Sequence, residues 1–214
     1  LAVRILAHHL PLFAASGGTA IALYATRPYR DAVMKMSFAT AYPALLLLAL
    51  TLLTGPLNVL MRRRNPVSSD LRRDMGIWAG IFSLAHSVIG QCVHLRGRPW
   101  LYYIYDHPER HWLPLRHDLF GFANYTGLAG ALIVLALLAS SNDYSLRMLG
   151  TPGWKKLQRW NYAVFGLVAA HAAGYLVIEK QKLPFDLVIS IAIAVTVAVQ
   201  TMGYAQRRAI LNGN

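Results

Sequence analysis

The chain has 214 residues, 56% of them hydrophobic and only 14% charged, with a formal net charge of +12. So few charges among so many apolar residues exclude an ordinary soluble domain, and a single cysteine, Cys92, excludes an internal disulfide or a cysteine-ligated zinc or iron–sulfur site. The basic residues lie between apolar runs, so the positive charge reads as membrane topology rather than as a nucleic-acid footprint.

A helix needs roughly 20 apolar residues to cross the hydrocarbon core. Six segments qualify, at residues 5–25, 37–61, 75–94, 119–140, 160–178 and 184–205. They predict an all-α fold: a polytopic membrane bundle of six transmembrane helices, one domain over residues 1–214. The first span is the least regular, because His8, His9 and Pro11 crowd its start. The chain opens on Leu1 rather than Met, so further sequence is expected ahead of it. Nothing there has the ordered charged, apolar and small-residue regions of a cleavable signal peptide.

The segments "MRRRNPVSSDLRR" before the third span and "WKKLQR" before the fifth fall on one side of the membrane. With the N-terminus in the cytoplasm, that side carries 12 of the 21 Lys/Arg and three of the nine acids. This is the positive-inside pattern. It predicts a multi-pass protein of the inner (plasma) membrane with both termini cytoplasmic, partnered by the lipid bilayer and by no nucleic acid. The third and fourth spans are joined on the outer side by the longest connection, residues 94–118. It holds four of the eight histidines, two Trp and three Tyr, which suits a segment lying partly at headgroup level. No dinucleotide fingerprint and no Walker A sequence is present. Nucleotide chemistry would have to come from a partner.

Ionisable groups inside a span are functional hypotheses by default. His86 in the third span lies 13 residues beyond Arg73, and His171 in the fifth lies 12 beyond Arg159. At 1.5 Å per residue both imidazoles sit roughly 18–20 Å along their helices, where two helices could share one metal. Neutral imidazole is a good axial ligand to haem iron. Ala79, Ser83 and Gly90 beside His86, and Ala170 and Gly174 beside His171, would admit a porphyrin edge. The same small residues also promote plain helix packing, and two histidines that only bond neighbouring helices remain an alternative. A non-haem metal is disfavoured, because no carboxylate or cysteine stands in the spans beside them.

Other polar groups carry weaker signals. His107 and His111, with Asp106, Glu109 and His117 nearby, form a conceivable outer metal site, or else an ordinary interfacial loop. His94, with Arg96 or Arg98, is placed to bond a haem propionate or to anchor the interface. Asn124 and Tyr125 either bond across helices or line a cofactor slot. His8 and His9 are expected at the headgroups. The arginines of "MRRRNP" and "WKKLQR" are candidates for clamping a flavin or lipid phosphate.

Three stretches together carry a family resemblance: "LTLLTGPLNVL", "RRDMGIWAGIFSLAH" and "LGTPGWKKLQRWNYAVFGLVAAH". In order and spacing over almost the whole chain they resemble the ferric reductase-like transmembrane family, most closely its MsrQ branch, the haem-binding membrane subunits of the periplasmic methionine sulfoxide reductase system. The resemblance implies a b-type haem held by His86 and His171. It also implies electron transfer from a cytosolic flavoprotein or a quinol to an outer acceptor, with FMN or a quinone as a further candidate cofactor. One departure is clear. The family's fifth helix usually carries another histidine 13 residues earlier, where this chain has Gln158. The inner histidine of the third helix in larger members falls near Arg73. The expectation is therefore one haem, in a haem b-binding electron-transfer subunit that acts with a flavin reductase or a periplasmic oxidoreductase. The alternative is a non-catalytic assembly subunit of a larger membrane complex, its haem structural or absent.

Overall fold

Polar residues fix where the helices begin. Asp31 accepts a hydrogen bond from the Met34 N–H (2.8 Å) and starts helix α2, Ala32–Leu60. Asp118 accepts from the Gly121 N–H (2.7 Å) and starts α4, Leu119–Ala139. Asn142 accepts from the Ser145 N–H (2.8 Å) and starts α5, Asp143–Gln158. In each case a side-chain oxygen satisfies one of the first N–H groups, which have no partner within the helix.

The computed structural model describes residues 2–62, 69–95, 97–180 and 184–212. The remaining helices are α1 (Ile5–Thr26), α3 (Ser69–Gly90), α6 (Trp160–Ile178) and α7 (Phe185–Asn212). Among the described residues there is no strand, only an isolated antiparallel bridge between Ile104 and Leu115. The all-α expectation therefore stands.

The membrane spans differ in detail from the sequence reading. Five helical stretches are long and apolar enough to cross a bilayer: Ile5–Thr26, Ala32–Leu60, Leu119–Ala139, Asp143–Ile178 and Phe185–Asn212. The protein is thus a multi-pass membrane protein. Helix α3, expected as the third span, is long enough but too polar: Asp70, Arg72, Arg73 and Asp74 occupy its first turns, and Ser83, His86 and Ser87 follow. It is flanked by α2 and α4. Helix α5 is a second difference, since it occupies the stretch between the fourth and fifth expected spans. It breaks at Gly150 (φ 63°, ψ 164°), a conformation that only glycine adopts easily, just ahead of Pro152.

Helix α2 is the spine, packing against α1, α3 and α7, while α4 packs against α6 and α3. The shared core joins Leu45, Leu48 and Leu52 of α2 to Ala79 of α3, Val134 and Leu137 of α4, and Val164 and Phe165 of α6. Pro56 has no N–H to give the carbonyl of Leu52. Gln200 of α7 supplies the missing donor, Nε2 to O at 2.7 Å. Gly203, one turn on, lets the helices meet, because a Cβ there would lie 2.5 Å from the Pro56 Cβ.

The two ends are also tied. At one end the segment 94–118 is folded over the bundle. Tyr102, 1% exposed, donates from its hydroxyl to the Gly90 carbonyl (2.9 Å) and accepts from the His94 N–H (2.9 Å), closing α3. At the other end Asp74 is fully buried. Arg4 grips it from Nε to Oδ2 at 2.9 Å, with His8 Nδ1 at 2.8 Å and His9 Nε2 at 3.4 Å. A π-helical turn, Ile5–His9, brings both histidines to that carboxylate. His8 and His9 are therefore not simple headgroup residues but the anchor of α1 on α3.

Candidate cofactor site

Helices α3 and α6 do not pack closely on each other; α2 and α4 hold them apart. The gap is a cavity of about 500 Å³, within the roughly 300–1,000 Å³ typical of small-molecule and cofactor sites. His86 from α3 and His171 from α6 wall it from opposite sides, half-buried, with ring centres 6.1 Å apart and ring planes at 77°.

Each ring is held by the same device. His86 Nδ1 lies 2.9 Å from the Ser37 carbonyl on α2, and His171 Nδ1 lies 2.8 Å from the Ala123 carbonyl on α4. A carbonyl only accepts, so Nδ1 carries the proton in both rings. That leaves each Nε2 with its lone pair and no proton, the form in which imidazole binds a metal. A Nδ1–H bond to a carbonyl is also what fixes the orientation of ligating histidines in metal sites.

The pair can be tested against a haem. Two imidazoles on opposite sides of one metal, each bonded through a ring nitrogen at about 2 Å, have ring centres roughly 6 to 6.5 Å apart. The observed separation of 6.1 Å matches. Among the described residues no group of three or more His, Cys, Asp or Glu is arranged to hold a metal. A two-histidine donor set suits a metal whose other ligands come from a macrocycle. Gly127, Gly130 and Ala131 of α4 and Ala172 of α6 leave room along the walls. The residues present fit a haem.

No protein-family model matches this chain, and no solved structure matches it.

The other expected residues fall in three places. His94 reaches the cavity at its 94–118 end, where its Nε2 pairs with Glu179 Oε1 at 3.0 Å and its ring stacks on Tyr175 at 6.1 Å and 20°. Asn124 lines the cavity and accepts from the Tyr175 hydroxyl (3.0 Å), whereas Tyr125 donates to the Tyr103 carbonyl (2.6 Å). Both therefore bond across elements, and Asn124 also lines the slot. Arg73 and Gln158 lie away from the cavity and meet at one residue. Arg73 Nε donates to the Ser141 carbonyl (3.3 Å) and Gln158 Nε2 to the Ser141 hydroxyl (3.4 Å). Arg73 also pairs with Asp143 at 2.8 Å. Arg73, Ser141 and Gln158 thus form a polar tie between α3, the turn before α5 and the end of α5.

On the 94–118 segment, Arg98 pairs with Asp106 (3.6 Å), and Arg96 lies outside the described residues. Arg63 and Arg64 of the "MRRRNP" cluster lie outside them as well. Pro108 opens a single 3₁₀ turn, Pro108–Arg110. His107 turns to Glu109 (3.3 Å), while His111 stacks on Tyr105 with centres 3.6 Å apart. The outer metal site is not assembled.

Several residues were missed in the sequence. Tyr175 and Glu179 follow His171 at i+4 and i+8, which puts all three on one face of α6; that spacing was available as a signal. Asp74 was visible only as a charge to be counted, and its partners come from a distant segment, Arg4 and the π turn that follows it. Ser37 and Ala123 act through backbone carbonyls, which have no signature in side-chain identity.

Proposed function

We propose that this protein is a haem b-binding integral membrane electron-transfer protein. In this reading it passes electrons from a donor at the Arg73–Gln158 end to an acceptor at the 94–118 end. The observation that carries the reading is the facing pair, His86 and His171, oriented by two backbone carbonyls across a cavity of cofactor size. A haem bound there would supply a one-electron iron couple in a site of low dielectric.

The chain's own residues would do the rest. His86 and His171 present Nε2 lone pairs, and Ser37 and Ala123 keep the rings from turning. Leu45, Leu48, Val134 and Val168 wall the apolar side of the cavity and keep water out. Gln91, His94 and Tyr103 make its other end polar, with His94 paired there to Glu179. One haem is the count this reading takes, because the positions where the resembled family carries inner histidines are here Arg73 and Gln158, both bonded to Ser141. The resemblance to the MsrQ branch agrees with this reading. It adds the inner membrane, six spans with cytoplasmic termini, a flavin or quinol as donor, and a soluble oxidoreductase as partner.

The test is a reduced-minus-oxidised spectrum of purified protein made with ample haem supply. A sharp b-type band is expected, absent from His86→Ala and from His171→Ala. Protein without haem would sink the reading in favour of an assembly subunit. Full retention by either variant would reject the ligand assignment.

A further inference from the structure

The hydrogen bonds that orient the two histidines are made to carbonyls already inside helices. In α4 the Ala123 carbonyl faces along the helix toward the N–H of Gly127, four residues on. It also accepts from the Thr126 hydroxyl at 2.8 Å. For His171 to reach the same oxygen at 2.8 Å, its ring must lie against the helix at position 127. A Cβ at that position would stand 2.6 Å from His171 Nδ1 and 2.9 Å from Cε1. No real side chain sits that close to a ring, so even alanine would displace the imidazole or the helix. On the opposite wall the relation repeats. The Ser37 carbonyl bonds His86 Nδ1, and the fourth residue after Ser37 is Ala41, a single methyl group lining the cavity.

We propose that Gly127, and across the cavity Ala41, are positioning residues: the small side chain four residues after each accepting carbonyl opens that carbonyl to a histidine from another helix. The inference rests on the haem reading but makes a separate claim, that ring orientation is set by a notch in the neighbouring helix. Packing in general would predict something else. Glycine weakens a helix interior relative to alanine, so a glycine kept only for helix packing need not affect His171 at all.

The experiment compares two glycine-to-alanine variants in purified, haem-loaded protein. Gly127→Ala should lose most of the low-spin bis-histidine signal in the visible and electron paramagnetic resonance spectra, through a high-spin form or loss of haem. Gly166→Ala, on α6 with nothing within 4 Å of its would-be Cβ, should keep the wild-type spectrum. A wild-type spectrum in Gly127→Ala overturns the inference and leaves the haem reading standing. Wild-type protein without haem overturns both. Should Gly127→Ala give no folded protein, Ala41→Val carries the test from the other wall, with loss of the low-spin signal expected and an unchanged spectrum overturning the inference.

Discussion

Replacing Gln200 by leucine should destabilise the bundle by about 1.5 kcal/mol, near the upper end measured for hydrogen bonds between membrane helices. The magnitude follows from Pro56. Most interhelical bonds in a membrane are made by carbonyls that already hold an intrahelical partner, so their loss leaves the backbone satisfied. The Leu52 carbonyl has no such partner, because residue 56 lacks an N–H, and Leu52 is only 1% exposed. Removing the Gln200 amide therefore strands a buried acceptor rather than merely deleting a contact. The assay is a double-mutant cycle in mild detergent micelles, following helix content as denaturant is raised. Gln200→Leu alone should lower stability. In a Pro56→Ala background, where residue 56 again donates to Leu52, the same change should cost no more than about 0.5 kcal/mol. Equal losses in both backgrounds would refute the reasoning. The bond matters to the site at one remove, since it holds α7 on the helix whose Ser37 orients His86.

Two further predictions concern the ties at the helix starts. Asp118→Ala removes the cap of α4 and the partner of Arg116, and should cost about 1 kcal/mol at neutral pH in thermal unfolding. Burial works against ionised Asp118, but the Arg116 side chain and the Gly121 N–H outweigh it and hold its pKa below the usual carboxylate value. The stabilisation is therefore complete above about pH 4 and fades as pH falls through the lowered pKa, so wild type and variant should converge in strong acid. A gap that persists there would contradict the electrostatic part. Asp74→Asn leaves Arg4, His8 and His9 facing an amide. The loss should be about 2 kcal/mol, below the usual cost of breaking a buried pair, because Arg4 is 26% exposed and can turn outward. Limited proteolysis should then cut within the first turns of α1; unchanged protection would show that the carboxylate does not anchor that helix.

Much of the fold was legible because apolar length is a coarse and sufficient signal. The spans near residues 37–61, 119–140 and 160–178 become α2, α4 and α6 with ends shifted by a few residues. Apolar length is a weaker signal where a helix carries polar side chains with partners in the bundle. Helix α3 carries Asp74, which binds α1, and His86, which faces the cavity, and these side chains remove it from the set of apolar spans. The segment before the fifth span is a helix too polar for apolar length to reveal, and Gly150 and Pro152 mark a break within it.

The site divides along the same line. Depth along a helix is set by residue count, so the matched positions of His86 and His171 could be worked out before any coordinates. Depth cannot say whether two side chains face each other, because that depends on how each helix is rotated, and rotation is set by partners elsewhere. Here those partners are the carbonyls of Ser37 and Ala123, reached past Ala41 and Gly127. Gln158 is the converse case. In the sequence it marked only a departure from the pattern that the resemblance implies, and the structure shows what it bonds. With Arg73 it bonds Ser141 and braces α5 against α3, so that end of the bundle is held by hydrogen bonds.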